Sequence, residues 1–140
     1  MKNIYVGGCF DILTNAHVYL LRESKKMGDK LIVAVNSDQF ILEYKKRPPV
    51  CSENERLEII KAIRYVDDAF IMEKWSDQPG HLLRVNARVI VHGQGWEKDS
   101  LIKQLGITKE FMDENNIELK YIPLIPEISS TKIKERVKSQ

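Results

Sequence analysis

The stretch Gly7-Gly8-Cys9-Phe10-Asp11-Ile12-Leu13-Thr14-Asn15-Ala16-His17 constrains this chain more than any other. It follows an apolar, strand-like run, Ile4-Tyr5-Val6, and opens a helical pattern from His17 to Met27. A strand, a glycine-bearing turn and a helix start form a geometry that receives phosphate, because the first helical turn offers unpaired N–H groups and the positive end of the dipole. Gly7 and Gly8 are expected to turn the backbone sharply and let it approach a ligand. Thr14 and His17 stand three apart, so both can face one ligand. Neither G-x-G-x-x-G nor G-x-x-x-x-G-K-[ST] occurs, so neither a dinucleotide fold nor a P-loop is indicated.

This stretch resembles the G-[TC]-F-D-x-x-[HT]-x-G-H signature of the nucleotidyltransferase superfamily with the H-x-G-H or T-x-G-H motif. Gly8-Cys9-Phe10-Asp11 and Thr14-Asn15-Ala16-His17 are in register with it. The resemblance implies that Gly8, Cys9, Phe10 and Asp11 bind nucleotide and that His17 and Thr14 are catalytic. Thr14 replaces the first histidine, as in the phosphopantetheine adenylyltransferase branch. Ala16 replaces the usual glycine, so a methyl group has to be accommodated there.

A chain of 140 residues fits one domain, residues 1–140, with one core. Its hydrophobic fraction of 43% and charged fraction of 30% are those of an ordinary globular protein. A net charge of +2 is too small to argue for nucleic acid or a membrane as partner, and neither is expected. Met1-Lys2-Asn3-Ile4 lacks a signal-peptide pattern, and two cysteines, Cys9 and Cys51, suggest no disulfide framework. The expectation is a reduced, cytoplasmic protein.

Further along, strand and helix patterns alternate. The first helix is expected to end with Gly28 at its C′ position. Leu31 to Val35 is a continuous β-prone apolar run, as in a strand buried on both faces. Asn36-Ser37-Asp38 follow at its carboxyl end, where open α/β sheets bind ligands, so Asp38 is a candidate substrate contact. In Tyr44-Lys45-Lys46-Arg47-Pro48-Pro49 the prolines rule out helix and put a basic cluster on a loop, from which Lys45 or Lys46 can reach a triphosphate. Ser52-Glu53-Asn54-Glu55 is a capping box opening a helix through about Tyr65. Residues 69–72, 88–91 and 118–122 read as the third, fourth and fifth strands. A short helix is expected over Gly80–Asn86 and an amphipathic one over Ser100–Asn115, irregular at Gly106. Gly93 and Gly95 at the end of the fourth strand permit backbone approach to a base or ribose, while His92 reads as strand-end packing. Ser129, Ser130 and Thr131 start the last helix with hydroxyls and free N–H groups that suit phosphate.

Other segments resemble the glycerol-3-phosphate cytidylyltransferases. Glu55-Arg56 and Ile63-Arg64-Tyr65-Val66-Asp67-Asp68 are similar to their E-x-R and I-R-Y-V-D-[DE] stretches. The similarity implies substrate roles for Arg56 and Asp67 and places Arg64 near the nucleotide. Trp75 matches, as do Gly93 and Trp96 of an M-G-D-[DE]-W stretch, with Gln94 in place of an acidic residue; Trp75 and Trp96 are candidate substrate contacts. Ile128-Ser129-Ser130-Thr131-Lys132-Ile133-Lys134 is similar to I-S-T-T-K-I-K. The preceding R-T-E-G, which helps recognise cytosine in that branch, is absent, and Leu124-Ile125-Pro126-Glu127 stand there.

The resemblance implies an α/β fold: a single Rossmann-like domain with a five-stranded parallel sheet, ordered 3-2-1-4-5, and helices on both faces. It implies transfer of a nucleotidyl group from CTP to a small phosphorylated alcohol, with Mg²⁺ held mainly by the triphosphate and no metal cage in the protein, in a homodimer. The alternatives are an adenylyltransferase using ATP on a sugar phosphate or other phosphorylated acceptor, and a non-catalytic nucleotide-binding regulator. Leu31 to Asp38 resembles the heptose-phosphate adenylyltransferases, and Thr14-Asn15 the phosphopantetheine branch.

Overall fold

The computed structural model describes residues 2–93, 106–123 and 130–140. Numbered over those residues, the elements are β1 (Asn3–Gly8), α1 (Asn15–Lys25), β2 (Lys30–Asn36), α2 (Asp38–Lys45), α3 (Glu53–Lys61), β3 (Asp68–Met72), a 3₁₀ turn (Trp75–Asp77), α4 (Gln78–Arg84), β4 (Ala87–Gly93), α5 (Lys109–Glu114), β5 (Glu118–Ile122) and α6 (Ser130–Lys138). The strands form one parallel sheet in the order β3-β2-β1-β4-β5, as expected.

Alternate side chains feed two cores, one on each face of the sheet. Ile4, Val6, Leu31, Val33, Val35, Val89 and Val91 pack with Leu21 and Ile60 on one face. Tyr5, Ala34 and Ile90 pack with Phe40, Met72, Leu82 and Met112 on the other. β2 is buried from Leu31 to Asn36, which is why its sequence shows no alternation. From β1 the chain winds one way to β2 and β3 and the other way to β4 and β5. The crevice between β1 and β4, at their carboxyl ends, is therefore where a ligand belongs.

Four local expectations are corrected. The prolines do not clear Tyr44 and Lys45 of helix: Ser37 caps α2, accepting from the Phe40 N–H at 3.1 Å, and the helix runs on to Lys45. Tyr44 and Lys45 are thus helical, and α2 stops only at Lys46, whose φ is 61°. The capping box at Ser52 is present, but α3 ends at Lys61 rather than Tyr65. The short helix begins at Gln78 and ends at Arg84. Of the helix expected over 100–115, residues 109–114 are helical, Gly106 has φ 70°, and 100–105 lie outside the described residues.

Gly28 is needed for a different reason from the one anticipated. It is not among the glycines with positive φ. A Cβ there would lie 2.5 Å from the Lys2 carbonyl oxygen and 2.7 Å from Ile4 Cδ1. The chain leaving α1 passes directly under the start of β1, and only a hydrogen fits between them. Gly28→Ala should therefore destabilise the fold by about 1–3 kcal/mol, the usual range for forced overpacking. Urea denaturation checks this, and an unchanged midpoint would contradict it.

Candidate active site

An open cleft of about 370 Å³ lies at the carboxyl ends of β1 and β4, a size that suits a small-molecule ligand. Gly8, Cys9, Phe10, Asp11 and His17 of the signature line it, with Gly93 and the cations Lys45, Arg47 and Lys134. The turn after β1 is not made by glycine, as anticipated. Gly7 and Gly8 are regular strand residues, and the chain reverses at Phe10 (φ 52°) and Ile12 (φ 53°). Left-handed backbone costs a side-chain-bearing residue about 1–2 kcal/mol, and for β-branched Ile12 it is an outlier. Strain of this kind concentrates at functional sites. Gly8 makes room for the reversal, since a Cβ there would stand 3.1 Å from the Phe10 ring.

His17 is the third residue of α1 and Thr14 is its N-cap. The Thr14 N–H donates to His17 Nδ1 at 3.0 Å, and Thr14 Oγ1 lies 3.3 Å from the same nitrogen. A backbone N–H can only donate, so Nδ1 is an acceptor and the proton of neutral His17 sits on Nε2. The Phe10 ring meets the imidazole edge-on at 5.8 Å. Burial pushes the His17 pKa below its ordinary value. Thr14 itself is outside the cleft lining and serves to fix the tautomer of His17. Ala16 lies within α1, where its methyl is accommodated as in any helix.

Arg56 is 1% exposed and is closed to substrate. Its Nη1 donates to the carbonyls of Cys9 and Asn36, both at 2.7 Å, its Nε to the Cys51 carbonyl at 3.0 Å, and its Nη2 to Asp38 at 2.8 Å. The expected substrate pair Arg56 and Asp38 is thus an internal brace. Arg64 and Asp67 are also separated from the cleft. They follow α3 at the amino end of the sheet, where Asp67 accepts from the Leu31 N–H at 2.7 Å and from Lys25. The Cys9 thiol lies 2.8 Å from the Tyr44 hydroxyl.

Of the basic cluster, Lys45 and Arg47 line the cleft and Lys46 does not. The left-handed turn at Lys46 passes the inward position to Arg47. Lys134 of α6 also lines the cleft, 3.3 Å from Asp11. Sequence reasoning missed Arg47 and Lys134. The signal for Lys134 was its place at the end of the segment that resembles I-S-T-T-K-I-K. His92, read as packing, also lines the cleft, with Nδ1 donating to the Gly93 carbonyl at 2.9 Å. Trp75 opens the 3₁₀ turn after β3, and Ser130 and Thr131 open α6. Gln94, Trp96 and Ser129 lie outside the described residues.

The cleft therefore combines a strained loop and a helix start with a neutral imidazole donor and the cations Lys45, Arg47 and Lys134. A cytidylyltransferase-like family model matches residues 5–136. The chain belongs to the cytidylyltransferase-like family. It is 33% identical over 138 residues to a glycerol-3-phosphate cytidylyltransferase of Bacillus subtilis, covering 98% of both chains. It is 34% identical over 139 residues to an FAD synthase of Pyrococcus horikoshii, covering 96% of this chain and 90% of that one. Among solved structures, a lipopolysaccharide core biosynthesis protein of Thermoplasma volcanium superposes with a TM-score of 0.69 at 31% identity, over 89% of this chain and 98% of the other. The protein is a nucleotidyltransferase. Among the described residues, no helix is long and apolar enough to cross a membrane.

The His17 geometry makes a spectroscopic prediction. Because burial lowers its pKa, the neutral form should persist as the pH falls through 6.5, the ordinary imidazole value. Nitrogen-15 NMR should find the proton on Nε2 at pH 6.5. An Nδ1–H tautomer, or half-protonation at or above that pH, would contradict the arrangement.

Proposed function

We propose that this nucleotidyltransferase joins CTP to a small phosphorylated alcohol of the glycerol-3-phosphate type. An oxygen of the acceptor phosphate attacks the α-phosphorus of CTP, and the bond to the β-phosphate breaks, releasing pyrophosphate. The single observation that carries this is the placement of His17 Nε2–H at the start of α1, in a cleft also lined by Lys45, Arg47 and Lys134. Such chemistry needs positioning and charge stabilisation more than covalent catalysis. His17 donates to a phosphate oxygen whose charge grows in the transition state. Lys45, Arg47 and Lys134 neutralise the remaining phosphates, and the helix start of α6 offers its amides to them.

Among the described residues no cluster of three His, Cys, Asp or Glu could hold a metal ion. Mg²⁺ is accordingly proposed to enter with the nucleotide, bound by phosphate oxygens and water. The choice of CTP is supported by a similarity that spans 98% of both chains with a glycerol-3-phosphate cytidylyltransferase. A second reading, adenylyl transfer from ATP to a sugar phosphate or other phosphorylated acceptor, is favoured by relatives of other names. These are the FAD synthase and the bifunctional protein HldE of Desulfatibacillum aliphaticivorans, 31% identical over 140 residues but only 27% of that protein.

Two measurements test this. His17→Ala should lower kcat at least 100-fold, about 3 kcal/mol, the scale of one preorganised donor to a developing oxyanion. Activity within threefold of wild type would remove His17 from the mechanism. Because Leu124 and Ile125 replace the Arg and Thr side chains of the cytosine-reading loop, the preference for CTP over ATP should be modest. It is expected at about 10- to 100-fold in kcat/KM, or roughly 1.4–2.7 kcal/mol. Competing rates at equal nucleotide concentration decide it, and a preference for ATP would promote the second reading.

A further inference from the structure

One carboxylate ties two other segments to the signature loop at the cleft. Asp11 accepts the Val50 N–H through Oδ2 and the Cys51 N–H through Oδ1, both at 2.9 Å, and Lys134 Nζ lies 3.3 Å from Oδ2. Its side chain is only 12% exposed. Burial on its own would favour the neutral acid, but the two amides and the Lys134 ammonium hold its carboxyl below the usual carboxylate range. An unpaired carboxylate beside a polyanion would repel it. This one is turned onto protein donors.

The segment it holds is thinly anchored elsewhere. Among the described residues, the hydrogen bonds of the backbone over 47–51 go to Asp11 and, at the Cys51 carbonyl, to Arg56. Pro48 and Pro49 have no N–H to contribute. That same segment, from the left-handed Lys46 onward, decides whether Arg47 faces the cleft, with Lys45 one residue before the turn.

We infer that Asp11 is a positioning residue: by gripping the Val50 and Cys51 amides it holds Lys45 and Arg47 against the cleft for the triphosphate, and it takes no ligand itself. This rests on the proposed nucleotidyl transfer for the identity of the ligand, but the grip can be tested separately. Two variants break it from opposite ends. Asp11→Asn sets an NH₂ group against one of the two amides. Val50→Pro removes one donor at a position that is 67% exposed and leaves Asp11 intact.

The probe is inorganic triphosphate, titrated calorimetrically. Both variants should bind it at least tenfold more weakly than wild type. Adding either to Lys45→Ala/Arg47→Ala should weaken binding by less than twofold more, because the cations through which the grip acts are already gone. Amide exchange at Cys51 should quicken at least tenfold in both variants, while Leu31 to Val35 of β2 stay protected, which separates a loosened segment from a failed fold. Asp11→Glu, which keeps the carboxylate, should recover part of the affinity.

Wild-type affinity in Val50→Pro, or effects that multiply in full with Lys45→Ala/Arg47→Ala, would overturn the inference and assign Asp11 to the ligand or to neither role. A wild-type protein that binds no triphosphate would overturn it as well. If triphosphate binds with the expected coupling but CTP and ATP are not turned over with any phosphorylated acceptor, the proposed function fails and the positioning role stands.

Discussion

A single buried guanidinium holds the working end of this protein together. Burying a charge is costly unless it is paired and fully hydrogen-bonded. Arg56 meets that condition with three backbone carbonyls and one carboxylate, drawn from the signature loop, the end of β2, the start of α2 and the segment before α3. Its rigid planar fork can serve acceptors in several directions, whereas a lysine ammonium is a single point. The four acceptors come from segments spread over more than forty residues of chain, from Cys9 to Cys51. The site is thus a product of tertiary folding, and the strained turn at Phe10 and Ile12 is held in place partly by the bond to the Cys9 carbonyl.

Around that brace the charges are sorted by role. The acidic groups near the cleft are committed to the protein, Asp38 to Arg56 and Asp11 to two amides and Lys134. The cations Lys45 and Arg47 stand on an exposed rim. His17 remains a neutral donor, its tautomer set by the Thr14 amide. Neutrality has a consequence for catalysis: an imidazole N–H can stabilise growing phosphate charge without first losing or gaining a proton in the neutral pH range. It also explains how threonine can stand where related signatures have a second histidine, since its backbone amide does the orienting.

Much of the fold was legible because its signals are local. The apolar run Leu31–Val35, the capping box at Ser52 and the signature itself each specify structure within a few residues, and the resemblance supplied the strand order. What was not legible depends on contacts between distant segments. Gly28 read as a helix terminator, whereas its role comes from Lys2 passing overhead. Arg56 and Asp67 resembled substrate contacts, and Arg64 a nucleotide contact, as letters in a motif, but burial and the direction of α3 decide what each can touch. Ser37 is a residue type that caps helices, but at the end of a buried strand the same stretch also suits ligand contact, and the bond from the Phe40 N–H settles its role as a cap. The choice between Lys46 and Arg47 turns on one left-handed residue, which neighbouring prolines hint at but do not determine.

The central claim is that a nucleotide triphosphate sits at the carboxyl ends of β1 and β4, between the signature loop, the Arg47–Cys51 segment and α6. Mapping backbone amide shifts in two-dimensional NMR while titrating CTP with Mg²⁺ tests it most directly. The account predicts changes confined to Gly8–Asp11, His17, Arg47, Val50, Cys51, Gly93 and Lys134, with Leu31, Arg64 and Asp67 unmoved. Changes centred on the amino end of the sheet, with the signature loop silent, would contradict it.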